Sequence, residues 1–245
     1  MRSIITILAA ILLPTTAFCE TVNLIINPSF ETVESIGDNL PSTYGDWSGD
    51  AGTIVTSENG ITPLDGSRML RFDATSHSGP SESGTSCEVR QIIDISGFKD
   101  LILTGNAVAE ASAYYNRVAG DIQTDNAFNF EILAFDGSPS TFPSRWKAQT
   151  YDAALAYTVS NPLSSDSNPL TWELCTARFK IPANTEFLVM GVKCHENIYN
   201  DSVFPEFDGH YADRVSFQIV PEPATIFLFV SGGVWILNRK RKSYN

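Results

Sequence analysis

The side chain with the clearest chemical potential is the carboxylate of Asp213, in the last strand-like segment of the chain. Apolar residues hold the same alternate positions as far as Phe217, so this face should point into the core. A carboxylate there is costly unless it is hydrogen-bonded, paired or bound to a metal. Glu31 would lie close if the first and last strands are neighbours, and two carboxylates with backbone carbonyls suit Ca²⁺. The alternative is an acid that is hydrogen-bonded or paired with Arg68 or Arg214.

Sugar binding is a second kind of chemistry, and it needs exposed aromatic rings beside amide or acid groups. Four aromatic residues stand in polar or loop contexts and are candidate glycan platforms: Trp47, Trp146, Tyr114 and Tyr115. For each of them the alternative is a place in the core, where aromatic side chains commonly lie. Trp172 belongs to an apolar strand, and we expect it to pack in the core.

The cysteines predict a cross-link. Residues 172–181 and 186–194 resemble two strands of a hairpin around the turn 182–185. A turn centred between Asn184 and Thr185 would place Cys175 opposite Cys194. Because disulfides form in exported proteins, we predict a Cys175–Cys194 disulfide with Cys87 outside it. The alternative is two unrelated thiols.

Catalytic motifs are not found in the sequence. The histidines, His77, His195 and His210, are scattered without metal-ligand spacing, and there is no Gly-x-Ser-x-Gly elbow. Acids such as Asp125 and Glu131 could supply a glycosidase pair or form an ordinary solvated surface. We therefore predict that the protein is not an enzyme, and the alternative is a secreted polysaccharide-active hydrolase.

Strand-like segments separated by Gly, Pro and Ser turns dominate the chain. The predicted strands are residues 22–26, 53–56, 69–72, 87–95, 101–108, 128–135, 172–179, 187–192 and 211–220. A short helix could form at residues 148–157. This pattern predicts an all-β fold, a single jelly-roll β-sandwich over residues 20–219. The formal net charge of the whole chain is −12, which argues against nucleic acid as a partner.

Both ends of the chain carry targeting features. Residues 1–19 contain Arg2, an apolar run and small residues before Glu20, which is typical of a signal peptide; acylation of Cys19 is the alternative. The C-terminal segment, 220–245, holds Pro221, Glu222 and Pro223, then an apolar stretch at 224–238. A basic stop follows: Arg239, Lys240, Arg241 and Lys242. The apolar stretch is short for a bilayer span of about 20 residues, but the cations favour a cytoplasmic C-terminus. The alternative is a buried C-terminal element.

The order of the Pro-Glu-Pro triplet, apolar stretch and basic end resembles the PEP-CTERM sorting signal. That resemblance implies an exosortase-type sorting enzyme as a partner and cleavage near the triplet. It also implies a single-pass membrane precursor, exported by a Gram-negative bacterium that makes extracellular polysaccharide.

A second resemblance covers the body. Residues 23–31, Asn-Leu-Ile-Ile-Asn-Pro-Ser-Phe-Glu, are followed by Trp47, Asp65-Gly66 and the closing Tyr-Ala-Asp-Arg-Val-Ser-Phe of residues 211–217. This arrangement is similar to carbohydrate-binding-module-like, galactose-binding-like jelly rolls, although Pro28 and Arg214 depart from the pattern. The resemblance implies a structural calcium ion held by Glu31 and Asp213, with carbonyl oxygens near Ser29 and Ser67. We therefore predict an exported envelope or extracellular-matrix protein that contacts exopolysaccharide.

Overall fold

The structure is a computed structural model that describes residues 22–37, 39–74, 86–118, 126–166, 168–196 and 209–222. Its strands are β1 (Ser48–Gly49), β2 (Ala51–Val55), β3 (Met69–Ala74), β4 (Ser86–Ile93), β5 (Ala107–Arg117), β6 (Asn126–Phe135), β7 (Ala156–Val159), β8 (Leu163–Ser164), β9 (Glu173–Lys180), β10 (Phe187–Glu196) and β11 (His210–Pro221). The helices are α1 (Lys99–Leu103) and α2 (Phe142–Gln149). The predicted signal peptide, the apolar stretch 224–238 and the basic stop lie outside the described residues. Within the described ranges, no helix has the length and apolar character needed to cross a bilayer.

The strands form two antiparallel sheets that pack face to face. The six-stranded sheet has the order β1-β4-β10-β6-β7, with β8 also paired to β6, and the five-stranded sheet has the order β2-β3-β11-β5-β9. From β3 to β6, and again from β9 to β11, successive strands alternate between the sheets, which is the jelly-roll arrangement. The predicted all-β sandwich is therefore confirmed.

The core fills the space between the sheets, because side chains along the regular parts of each strand alternate between the core and the outer face. In β6, Phe128, Phe130 and Ile132 face the core, as the period of two predicts. Alanines line the inward face of β5, which leaves room for Tyr115 to cross the sandwich. Its ring stacks on Phe128 with centroids 4.7 Å apart, and its hydroxyl donates to the carbonyl of Asn129.

The N-terminal segment runs beside the last strand, although residues 22–26 form no regular strand. Leu24 N donates to Phe217 O, and Val215 N donates to Pro28 O, both at 2.8 Å. The Asn23 side chain accepts a hydrogen bond from Phe217 N and donates one to Val215 O. The expected closeness of the two ends of the body is correct.

Two local predictions are wrong. Residues 101–108 do not form one strand, because α1 occupies Lys99–Leu103 with Asp100 in its first turn, where an acid favours the helix N-terminus. The predicted hairpin at 182–185 is not a hairpin. The chain crosses there from β9 in the five-stranded sheet to β10 in the six-stranded sheet.

The crossover also makes the predicted Cys175–Cys194 disulfide wrong. Cys175 lies opposite Ala113, whereas Cys194 lies opposite Cys87 and Phe128. Cys175 is a buried thiol outside any disulfide, and its sulfur lies 3.3 Å from Ser160 Oγ.

Candidate functional site

The outer face of the six-stranded sheet, which points away from the core, has an apolar half and a polar half. In the apolar half, residues such as Leu133, Phe135 and Val189 are covered by α2 and by the turn at 150–153. Phe142 at the start of α2 packs edge-on against Phe135, with ring centroids 5.3 Å apart. This contact holds α2 on the sheet and fixes where its next aromatic residue lies.

Charged side chains at the centre of the three main strands form the polar half. Arg90 Nε donates to Glu131, and Arg90 and Lys193 both pair with Glu88. Gly191 lies directly opposite Arg90 on one side and Glu131 on the other. Because glycine has no side chain, the two can meet over the central strand; a Cβ at Gly191 would lie 2.8 Å from Glu131 Cγ. We call Glu88, Arg90, Glu131 and Lys193 the charged cluster.

The charged cluster is buried, and this decides how its members titrate. Glu131 is 0% exposed. Burial alone would raise the pKa of Glu131, but the charges of Arg90 and Lys193 and the hydrogen bonds it accepts hold that pKa below its ordinary value. Burial lowers the pKa of Lys193, and the negative charge of Glu131 opposes the change. The four side chains therefore form a compensated set of two acids and two bases.

Aromatic rings cross the sheet beside the charged cluster. The Arg90 guanidinium carbon lies 4.6 Å from the centroid of the Trp146 ring, a cation–π distance. Ring centroids are 5.1 Å apart between Trp146 and Tyr151 and 4.6 Å apart between Tyr151 and Tyr157. Tyr157 is 51% exposed. We call Trp146, Tyr151 and Tyr157 the aromatic row.

One hydrogen bond joins the aromatic row to the charged cluster. The Tyr151 hydroxyl donates to Glu131 Oε2 at 2.8 Å. Burial and the neighbouring negative charge of Glu131 raise the pKa of Tyr151, so this hydroxyl keeps its proton at neutral pH. The contact fixes the Tyr151 ring between its two aromatic neighbours.

Asn129 adds an amide on the same face, two residues before Glu131. Its side chain is 6% exposed, and among the described residues its Oδ1 has no hydrogen-bond partner. A buried acceptor without a donor is costly. Its position two residues from Glu131 places an unused acceptor beside the charged cluster and the aromatic row.

Of the aromatic row, only Trp146 is predictable from the sequence as a platform, and Glu131 stands there as one member of an ambiguous acidic patch. The missed residues are Glu88, Arg90, Asn129, Tyr151, Tyr157 and Lys193. A signal for some of them was present, because Arg90 and Glu131 interrupt apolar strands at outward positions. Strand order, which decides that the two residues share a central neighbour, is not readable from that signal.

The other aromatic candidates lie elsewhere. Trp47 is 2% exposed, and its ring nitrogen donates to Ile26 O and Asn27 O, so it cannot be a platform. Tyr115 is also buried in the core. Tyr114 lies on the outer face of the five-stranded sheet, 5.8 Å from the Arg214 guanidinium. Trp172 packs beside Tyr211 in a small satellite cluster and not in the main core.

The predicted calcium ligands both bind one loop. Glu31 Oε1 accepts from Ser67 N and Arg68 N, each at 2.8 Å. Asp213 Oδ2 accepts from Leu64 N at 2.7 Å and from Asp65 N at 3.0 Å. In the same loop Gly66 has φ of 70°, and a Cβ there would lie 2.4 Å from Glu31 Oε1. Glycine at this position therefore lets the Glu31 carboxylate lie against the backbone.

Asp213 is buried, but the predicted orientation toward the core is wrong. The strand register shifts between Asp213 and Ser216, and Arg214 has φ of 49°, which is a β-bulge. The bulge puts Asp213 on the outer face with Tyr211. Burial raises the pKa of Asp213 to about 6, opposed by backbone hydrogen bonds from Asp65, Arg214 and Leu64 and reinforced by the charge of Asp65.

The fit of this loop to a metal ion is mixed. In the parts of the chain that the structure describes, no three His, Cys, Asp or Glu side chains come together as a metal site. Backbone N–H groups already occupy several lone pairs of Glu31 and Asp213. The carboxylates of Asp65 and Asp213 nevertheless repel each other, and Ser29 Oγ donates to Asp65 at 2.9 Å. The loop therefore holds two carboxylates that repel each other, Asp65 and Asp213.

The remaining predicted residues belong to the scaffold or lie outside the described ranges. His210 is buried against Phe128, and His77 and Asp125 lie outside those ranges. Pro221 ends β11, while Glu222 accepts from Lys180 Nζ at 2.9 Å. Pro223 lies outside the described residues.

Comparison with known proteins gives similarity to solved structures alone. No protein-family model matches the chain, and no curated protein matches it. It is similar to the enzymatically active domain of bacteriophage CBA120 tailspike protein 4, with 11% identity and a TM-score of 0.44; the match covers 81% of this chain and 21% of that one. It is also similar to the CBM22-1 xylan-binding domain of Paenibacillus barcinonensis Xyn10C, with 14% identity and a TM-score of 0.43; the match covers 79% of this chain and 92% of that one. A family 16 carbohydrate binding module has 13% identity and a TM-score of 0.41, and that match covers 80% of this chain and 99% of the module.

Proposed function

We propose that the protein binds a polysaccharide on the outer face of its six-stranded sheet. The observation that carries this proposal is the aromatic row, which ends in the half-exposed ring of Tyr157 beside the charged cluster. Aromatic faces stack on the apolar faces of sugar rings, and neighbouring amide and charged groups accept or donate hydrogen bonds to hydroxyls.

The charge of the protein favours a neutral polysaccharide. The charged cluster is compensated internally, since Arg90 and Lys193 are engaged by Glu88 and Glu131. The whole chain carries a formal net charge of −12, so it repels polyanions at long range. Binding to a neutral chain should depend little on salt, whereas binding to a uronate-rich chain should be weak at low salt and should strengthen as added salt screens the repulsion.

The proposed protein binds the polysaccharide and does not cleave it. A hydrolase needs one carboxylic acid that can give a proton and a second carboxylate that is available. On the outer face, Glu131 is held ionised by Arg90, and Glu88 is shared by two cations. Purified protein should be retained by immobilised neutral exopolysaccharide and leave the length of the soluble polymer unchanged. A falling polymer mass would favour the hydrolase.

Export and sorting form a separate proposal, supported by the two terminal sequences. The protein is made with a cleaved signal peptide at 1–19 and a membrane segment at 224–238, and an exosortase-type enzyme processes it near Pro221-Glu222-Pro223. Replacing the triplet with alanines should leave an uncut, membrane-held precursor on an immunoblot of cell fractions. Normal maturation of that variant would refute the sorting proposal.

Calcium binding at the 64–68 loop is also a proposal. Glu31 and Asp213 would hold the ion, and its charge would relieve the repulsion between Asp65 and Asp213. Added Ca²⁺ should raise the melting temperature of the wild-type protein, and EGTA should reverse the change. Asp213→Asn should abolish the response, while Asp73→Asn on β3 should keep it. If the melting temperature of the wild-type protein changes with neither Ca²⁺ nor EGTA, the loop does not bind Ca²⁺.

A further inference from the structure

Two cysteines face each other across the six-stranded sheet. Cys87 on β4 and Cys194 on β10 are direct partners in the antiparallel register. Both side chains are 0% exposed and belong to the core cluster, so both point to the same side of the sheet. The sequence pattern places Cys194 opposite Cys175 only if β9 and β10 form a hairpin, and the two strands lie in different sheets.

The register satisfies the main geometric requirement for a disulfide. Directly opposite residues in an antiparallel pair have Cα atoms about 4.5–5.5 Å apart. Disulfide-bonded cysteines have Cα atoms about 4.4–6.8 Å apart, so the backbone separation of directly opposite residues lies within the range of a disulfide. Cys175 is placed differently, because it lies in the opposite sheet and beside Ser160.

We propose that Cys87 and Cys194 form a disulfide when the protein folds under oxidising conditions, and that Cys175 remains a thiol. The oxidant is an external disulfide, either a small-molecule disulfide or a dithiol–disulfide oxidase. One cysteine thiolate attacks the oxidant and forms a mixed disulfide, and the other then displaces the second thiol. The two cysteines lose two protons and two electrons, and the oxidant leaves as two thiols.

The cross-link lies directly beneath the candidate binding site. Glu88 follows Cys87, Lys193 precedes Cys194, and Glu88 and Lys193 are themselves partners in the register. Glu88 and Lys193 form an ion pair on the outer face, and the disulfide joins the next pair of opposite residues on the core face. The bond also closes the loop formed by residues 88–193, and closing a loop of that length strongly restricts the unfolded chain.

The burial of both sulfurs sets the timing of the reaction. An oxidant cannot reach these thiols once β4 and β10 are paired and covered, so oxidation precedes completion of the core. The experiment must therefore add the oxidant during refolding. Reduced, denatured full-length protein is refolded with a mixture of reduced and oxidised glutathione, alkylated, digested without reductant and mapped by mass spectrometry.

The expected map contains a linked peptide pair joining Cys87 to Cys194, with the alkyl label on Cys175. Cys19 is read from its own peptide and does not enter the comparison. The oxidised protein should melt about 5–10 °C higher than the same protein refolded with dithiothreitol. The control variant Cys175→Ala should keep the linked pair and the redox-dependent shift, and Cys194→Ala should lose both.

Two outcomes would overturn the proposal. One is alkyl label on both Cys87 and Cys194 after oxidative refolding. The other is a linked peptide that contains Cys175. Because the oxidised and reduced states of the wild-type protein are compared directly, the test stands even if a cysteine variant fails to fold.

Discussion

Glu131→Gln is the substitution that tests the charged cluster most sharply. The amide keeps the size of the side chain but removes its charge, so two buried cations then share the single carboxylate of Glu88. Removing one partner from a buried ion pair costs about 3–5 kcal/mol, because the remaining charge stays out of water. That is a large part of the roughly 5–15 kcal/mol that stabilises a typical domain.

The assay is urea unfolding at a series of pH values, followed by tryptophan fluorescence. The pKa of Glu131 is lower in the folded protein than its ordinary value of 4.5. Its contribution to stability is therefore fully present above about pH 5.5. The contribution is lost as the pH falls below 4.5 through the folded-state pKa. The difference between wild type and Glu131→Gln should be constant near neutrality and shrink in acid.

A compensating substitution checks the physical cause. Adding Lys193→Met to Glu131→Gln removes the surplus positive charge, and we expect it to recover more than 1 kcal/mol of the loss. If Glu131→Gln has the unfolding free energy of the wild type, or if Lys193→Met deepens its loss, the charged cluster is not electrostatically compensated.

Three further changes test neighbouring features. Gly191→Ala should lower the unfolding free energy by about 1–3 kcal/mol, because the added Cβ would press on Glu131. In the control Gly97→Ala the added Cβ meets no atom within 4 Å, so the unfolding free energy should change little. Equal effects of the two substitutions would contradict the close approach of Gly191 and Glu131. With EGTA present, the raised pKa of Asp213, about 6, means that its ionised form costs stability. That cost should shrink as the pH falls through 6, with about 1–1.5 kcal/mol regained between pH 7.5 and 5. Asp213→Asn should lack this gain; the same gain in the variant would count against burial of the carboxylate. Tyr151→Phe keeps the ring but loses the hydrogen bond to Glu131, so chemical denaturation should show about 0.5–1.5 kcal/mol less stability. Titration with polysaccharide should show only a small loss of affinity. Unchanged stability would contradict the role of the hydroxyl.

Most strands could be predicted because their side chains alternate. Residues 128–135 and 211–220 nearly match β6 and β11, since each carries apolar residues with a period of two. The close approach of the first and last segments of the body was also predictable, because the segment 23–31 resembles a recognised opening pattern. Its asparagines prove to be structural: Asn23 hydrogen-bonds to the last strand.

The bulge, the crossover and the site were not predictable from local patterns. Parity counting assumes an uninterrupted strand, and one irregular residue, Arg214, reversed the face assigned to Asp213. A turn-like Pro-Ala-Asn-Thr sequence can join strands in one sheet or in two, so the partner of Cys194 depended on topology. The aromatic row depends on where α2 lies, and α2 begins at Phe142, six residues before the predicted helix.

Affinity electrophoresis of matched tyrosine variants shows whether the outer face of the six-stranded sheet binds a neutral polysaccharide. Tyr157→Ala removes the half-exposed ring of the aromatic row, and Tyr114→Ala removes a ring from the outer face of the other sheet. In gels containing the neutral fraction of the producing organism's exopolysaccharide, wild type and Tyr114→Ala should be retarded equally. Tyr157→Ala should bind at least about fivefold more weakly, a loss of about 1 kcal/mol or more. Retardation of Tyr157→Ala equal to wild type, or loss of binding in Tyr114→Ala alone, would contradict binding at this face.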